Sequence, residues 1–189
     1  MEANRKSRFL DDLLDLADAA AVAVLAFVCL FTFVLSDVTV VGESMENTLF
    51  SGDRLVCRRF FYTPERGDVV TVCSDSMQEV IIKRIIGEPN DTVEIDYREN
   101  TVSVNGERLD EPYVRETMTN RGAFAEAFRE EGDKYIYKVP FGKYLVLGDN
   151  RNHSTDGRVF GFITRDEIVG KAVFRYYSRT GKGSIGSIS

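Results

Sequence analysis

Tryptophan is absent from the 189 residues, histidine occurs once (His153) and cysteine three times (Cys29, Cys57, Cys73). A structural zinc site needs four Cys or His ligands at close spacing, and a disulfide-dense scaffold needs more cysteine still, so the composition argues against both. Positive charge is in the minority, 24 Lys and Arg against 30 Asp and Glu, for a net charge of −6. The clustered cations that neutralise phosphates are lacking, which argues against a nucleic-acid partner. Repeats and low-complexity tracts are missing too, apart from the Gly/Ser-rich residues 180–189, which read as a flexible tail. What is present is 43% apolar and 29% charged, enough to close a core and too hydrophobic for a disordered chain. The length suits one domain, two at the outer limit.

Charge itself is missing from one stretch. Between Asp18 and Asp37 the chain reads AAAVAVLAFVCLFTFVLS, which as a helix would run about 27 Å against a hydrocarbon core of about 30 Å. A buried core helix would show a polar face, and this run is apolar on every side. A cleaved secretory signal needs a shorter run and a small-x-small site, whereas Val34-Leu35-Ser36 begins with a bulky residue. A spanning anchor over 19–36 is the remaining reading. Arg5, Lys6 and Arg8 precede it, so the bias of Lys and Arg toward the cytoplasm places residues 1–18 inside and everything from Asp37 outside. Asp12, Asp15 and Asp18 share one helical face, most simply a solvated one.

Beyond the anchor, short β-branched runs recur between turn signals, at 38–41, 54–60, 68–73, 80–86, 92–95, 101–104, 135–139, 143–147 and 169–177. Pro64-Glu65-Arg66-Gly67, Gly87–Asp91 and Asn105-Gly106 read as turns, the last as a two-residue hairpin. Only Asn120–Gly132 has helical spacing, with Phe124, Ala127 and Phe128. The expected fold is a mainly antiparallel β domain over 37–179, with an insertion at about 93–143, behind one membrane helix. Cys57 and Cys73 lie on consecutive strands around the Pro64–Gly67 turn, so a cross-strand bridge is conceivable; two reduced cysteines are the preferred reading. Cys29 is in the anchor, facing lipid or packing as bulk.

Three segments could carry chemistry. Ser44 lies eight residues past the apolar run, within VVGESMENTLFSGDRLVCRRF; a serine alone says little, and a nucleophile needs an activating base. In Val80–Ile86 two cations interrupt an apolar strand, and alternation sends Lys83 to the face of Ile81 and Ile85. A lysine desolvated there has a lowered pKa and can serve as a base; the plainer reading is that Lys83 or Arg84 snorkels to water at a strand edge. Finally, Gly148–Arg158 packs polar side chains directly after an apolar strand. Such density is either an exposed loop or a hydrogen-bonded site wall, and a Ser-His-Asp triad would have to use His153.

Together these segments resemble the bacterial, lysine-using type I signal peptidases, over the stretch from the anchor to about residue 177. The motifs are GESMENTL with SGDRLVCRRF, RGDVVTV at Arg66–Val72, IIKRIIGEPNDTVEI, VSVNGERLDEPYV and GDNRNHSTDGRVFG. The resemblance implies Ser44 as nucleophile, Lys83 as general base, Ser154 as a hydrogen-bonding partner that orients Lys83, and Asp149, Arg151, Asp156 and Arg158 as a supporting polar wall. It implies that Val40, Met45, Leu49, Ile81 and Ile82 line small apolar pockets admitting Ala-x-Ala, that no metal or cofactor takes part, and that the partners are preproteins with signal peptides and the lipid bilayer. Three positions depart from the usual pattern: Asn47 stands for a proline, leaving the turn less rigid, Gly157 for a serine, and Gly42 where some members carry an oxyanion-donating serine. Two rivals remain. A self-cleaving Ser-Lys repressor would need a DNA-binding domain in place of the anchor. A catalytically silent anchored β domain that binds exported proteins would be free to lose Ser44 or Lys83, and both are present.

Overall fold

A computed structural model describes residues 2–74, 79–123, 128–181 and 185–188. The chain begins with helix α1 (Glu2–Val34), whose portion Asp11–Val34 is long and apolar enough to cross a membrane, with no residue of its apolar window buried against the rest of the protein among the described residues. The helix stops two residues before the charge-free run does. Leu35 and Ser36 pair with Arg58 and Cys57 instead, and Arg59 N donates to the Val34 carbonyl, so strand pairing captures the end of the run.

The remaining elements, in order, are β1 (Leu35–Thr39), β2 (Arg54–Arg58), β3 (Val69–Ser74), β4 (Glu79–Gly87), β5 (Thr92–Asp96), β6 (Thr101–Val104), β7 (Glu107–Arg108), β8 (Phe128–Glu131), β9 (Lys134–Lys138), β10 (Lys143–Leu147), α2 (Gly157–Phe160), β11 (Ile163–Thr164), β12 (Ile168–Tyr177) and β13 (Gly186–Ser187). They form two antiparallel sheets. One runs β1-β2-β12-β3-β4-β10-β11 with β13 added to β12; the other runs β7-β6-β5-β9-β8. The fold is thus mainly antiparallel β with one N-terminal apolar helix.

Alternate residues of β6 are buried, as a half-covered strand requires, while Ile82–Gly87 of β4 is buried throughout, its two cations included. One core, around Val93, Ile95, Val104 and Tyr137, closes the smaller sheet against Ile86, Leu145 and Leu147 of the larger. A second (Val40, Met45, Leu49, Leu55, Ile82) and a third (Val70, Val72, Ile85, Val146, Ile163) cover parts of the larger sheet. The Asn105-Gly106 turn has positive φ at both residues, 54° and 85°, the two-residue hairpin geometry expected of that pair.

One expectation changes. Phe128–Glu131, read as helical, is strand β8 paired with β9 from Phe128↔Tyr137 to Glu131↔Lys134 around Gly132 at φ +67°; a tight turn and a waiting strand override local spacing. Residues 120–123 are irregular, and 124–127 lie outside the described residues. The preferred reading of Cys57 and Cys73 as unbridged agrees with the structure, since the two are not neighbours. Strand β12 lies between β2 and β3, which separates the two by about 9–10 Å of strand spacing, beyond disulfide reach. Both are free thiols, Cys57 buried and Cys73 exposed; burial pushes the Cys57 thiol up to about 12.

Candidate active site

Past β1 the chain turns sharply. Thr48 N and Leu49 N both donate to the Met45 carbonyl, and Met45 and Leu49 are buried, so two apolar side chains pin a turn with Ser44 at its start. The turn contains Gly42 at φ +87° and Asn47 at φ +91°. Proline is locked near −65° and has no access to the Asn47 conformation. The departure at Asn47 is therefore a different turn rather than a looser version of one built on proline.

Lys83 lies on β4 opposite Val70, with Ile81 and Ile85 in the same apolar cluster as Val70. It is 3% exposed and Arg84 is 1% exposed, so neither cation reaches water. Lys83 Nζ donates to Ser44 Oγ at 2.8 Å and to the Ile82 carbonyl at 3.0 Å. Burial lowers its pKa from 10.5 to about 8, against the opposing pull of the Asp156 and Asp149 carboxylates. Roughly a tenth of the amines are then neutral at pH 7. Such an amine can accept a proton from the hydroxyl it touches.

The wall behind them is made by residues 148–158. Asp149 accepts a two-pronged bond from Arg84 (2.9 and 2.8 Å) and another from Thr48 Oγ1 (2.5 Å), tying β4 to the Ser44 turn. Asn150 N donates to the Ser44 carbonyl at 3.0 Å. Asp156 accepts two bonds from the Arg158 guanidinium (2.9 and 2.8 Å), one from Arg158 N (3.1 Å) and one from Gly148 N (3.0 Å); burial pushes that carboxyl up, and the Arg158 bonds more than offset it, so its pKa is held below the usual range. Arg151 donates to the Gly148 carbonyl and to Glu111. Gly148 has no room for a side chain, since a Cβ there would overlap Ser154 Oγ and the Ser44 carbonyl. Gly157 is equally tight, against Leu145 and the Val146 carbonyl.

Ser154 departs from expectation. It is 5% exposed and lies beside Asp156, whose carboxyl it helps to keep low, but its hydroxyl makes no hydrogen bond of normal geometry. Lys83 Nζ turns to Ser44 and the Ile82 carbonyl instead, so the bond expected between Ser154 and Lys83 is not formed. His153 is 60% exposed and faces Glu43 at 3.7 Å, while the partner of Ser44 Oγ is Lys83.

In front of the Ser44–Lys83 pair runs a groove of about 540 Å³, lined on one side by residues 37–39 and 41 and on the other by residues 79–83. Both sides are strand edges. β1 ends the sheet, and β10 stops pairing with β4 at Arg84, leaving Glu79–Lys83 without a strand neighbour on that side among the described residues. Of the five residues expected to form pockets, Ile81 and Ile82 line the groove. Val40, Met45 and Leu49, at 1–3% exposure, belong to the core cluster that Ile82 joins and support the groove rather than face it. Among the described residues, no group of three or more His, Cys, Asp and Glu is arranged to hold a metal ion.

Sequence reading passed over Thr48, Asn150, Glu111 and Tyr113 as site residues and left Arg84 as a rival to Lys83. Only Arg84 carried a signal, as a second cation in an apolar strand.

The chain has relatives among known proteins. A family model described as signal peptidase, peptidase S26, matches residues 13–177. Signal peptidase IB of Staphylococcus aureus is 38% identical over 164 residues, 80% of this chain and 84% of that protein. Signal peptidase I P of Bacillus subtilis subsp. natto is 34% identical over 171 residues, 88% and 90% of the two chains. A crystal structure of a signal peptidase I from Enterococcus faecalis aligns with a TM-score of 0.48 and 33% identity, over 60% of this chain and all of that one. The protein is therefore a peptidase. It belongs to the S26 family of signal peptidases, among the bacterial type I enzymes.

Proposed function

We propose that this chain is a membrane-anchored serine endopeptidase that removes signal peptides from exported preproteins after a small-x-small site, with Ser44 as nucleophile and Lys83 as general base. The observation that carries the reading is the 2.8 Å bond from a buried, pKa-lowered Lys83 to the Ser44 hydroxyl. A preprotein lies extended in the groove and adds a strand to the open edges of β1 and β4, so that backbone bonds fix its register. Lys83 takes the Ser44 proton as Oγ attacks the scissile carbonyl, and the developing oxyanion is met by the Ser44 N–H. Lys83 gives that proton to the leaving amine, then deprotonates the water that releases the acyl-enzyme. Ile81 and Ile82 restrict the groove wall to small side chains.

Helix α1 spans the bilayer with its N-terminus in the cytoplasm and the β domain outside, as the basic residues Arg5, Lys6 and Arg8 favour. Substrate and enzyme then share one membrane, which raises their effective concentration. The test is cleavage of a preprotein bearing an Ala-x-Ala site by the full chain and by its Ser44→Ala and Lys83→Met variants. Each variant is expected to lose activity by about 10³-fold or more. Cutting by either at the parent rate would overturn the dyad.

A further inference from the structure

Three arginines surround the dyad, and each is neutralised by its own carboxylate. Arg84 pairs with Asp149 at 2.8 Å, Arg158 with Asp156 at 2.8 Å and Arg151 with Glu111 at 2.5 Å; all six side chains are at most 10% exposed. Two of these acids come from the 148–158 wall. The third, Glu111, arrives from a different part of the fold, the segment that leaves the smaller sheet after β7. With Lys83 neutral, three guanidinium groups face three carboxylates and the cluster carries no net charge. With Lys83 protonated it carries one uncompensated positive charge in a site nearly free of water.

Glu111 is also the hub of that segment. Its carboxylate accepts both Arg151 bonds (2.5 and 3.3 Å) and the Tyr113 hydroxyl (2.9 Å), and the Tyr113 ring lies 4.0 Å from the Arg84 guanidinium. Arg151 Nε in turn holds the Gly148 carbonyl, and Gly148 N holds Asp156. Glu111 thus touches Arg151 directly and Arg84 through the Tyr113 ring.

We infer that Glu111 is a positioning residue for the reaction: it balances the charge of Arg151 and thereby keeps Asp149 and Asp156 with their own arginines, which sets the charge state of Lys83 at working pH. Without it, Arg151 is an unpaired buried cation that either repels the Lys83 ammonium directly or draws on Asp149 or Asp156. Both effects have one sign. The groups that face Lys83 are Ser44, Asp149 and Asp156, those that face Glu111 are Arg151, Tyr113 and Arg84, and loss of the one anion among the latter favours the neutral amine.

The inference rests on Lys83 being the base. The experiment measures kcat/KM against pH, on the full chain in detergent with an Ala-x-Ala preprotein, for the parent, Glu111→Gln, Glu111→Asp and the double variant Glu111→Gln/Arg151→Met. The parent profile should show a limb rising through about pH 8. Glu111→Gln should move that midpoint toward acid by on the order of half a unit and lower the plateau. Glu111→Asp should return the midpoint toward the parent value, and so should the double variant, in which no unpaired guanidinium remains. A midpoint that stays put in Glu111→Gln, or one that the double variant leaves displaced, overturns the role of Glu111. If Glu111→Gln does not fold, the double variant decides by itself: a parent-like midpoint supports charge balance and a displaced one overturns it. A parent profile without the limb defeats the lysine base instead, so the two failures are told apart.

Discussion

With Lys83 as the proposed base, its burial acts in opposite directions on catalysis and on stability. Because burial lowers its pKa to about 8, activity at fixed subsaturating substrate should climb close to tenfold per unit below that value and level off above it; a flat profile from pH 6 to 9, with chemistry shown to limit the rate, would contradict the assignment. The sign for folding follows from the same shift. Below about pH 8 the amine is charged in both the folded and unfolded chain and the fold bears the full cost of burying it; between about 8 and 10.5 the unfolded state holds more protons, so stability rises with pH. Lys83→Met should therefore be more stable than the parent at pH 7, on the order of 2–3 kcal/mol, with the difference shrinking toward pH 10.5. Urea denaturation at both pH values measures it. Asn47 makes a separate point. Its φ of +91° predicts that Asn47→Pro, a change toward the commoner pattern, destabilises this chain by roughly 1–3 kcal/mol and lowers activity, as thermal melts and the cleavage assay would report.

At the level of elements, the site is a junction. Strand β4 supplies Lys83 and Arg84, the turn after β1 supplies Ser44 and Thr48, and the segment after β10 supplies Asp149 and Asn150, which bind both. Breaking a buried pair by removing one partner leaves an unpaired charge, so Asp149→Asn should cost about 3–5 kcal/mol and slow cleavage, seen by chemical denaturation and by kcat. Most of the strands were legible because their burial alternates or is continuous, and β4 and β10 are the clearest cases. Strand β8 was not, since Phe124, Ala127 and Phe128 carry helical spacing and only the pairing with β9 shows that Phe128 is in a strand. Short strands β7, β11 and β13 have too few residues for any period to register. Order within a sheet is likewise a tertiary fact: β12, distant in sequence, enters between β2 and β3 and parts the two cysteines.

For the molecule as a whole, α1 contributes no residue to any of the three cores among the described residues. The β domain freed of residues 1–34 is expected to melt within about 1 kcal/mol of the full chain while cleaving membrane-inserted preprotein more slowly; calorimetry and vesicle assays compare the two. The sequence alone determined that an uncharged 18-residue run precedes a β domain, and that a serine, a lysine and a polar stretch recur in the order of a known family. It could do so because apolar periodicity and motif spacing are local properties. Which charges meet was decided only on folding. Arg84 and Asp149 are 65 residues apart, Arg151 and Glu111 40, and Lys83 and Ser44 39. Nothing local encodes those distances, and the lowered pKa of Lys83, which depends on how much water the surrounding strands exclude, exists only when all of them have packed.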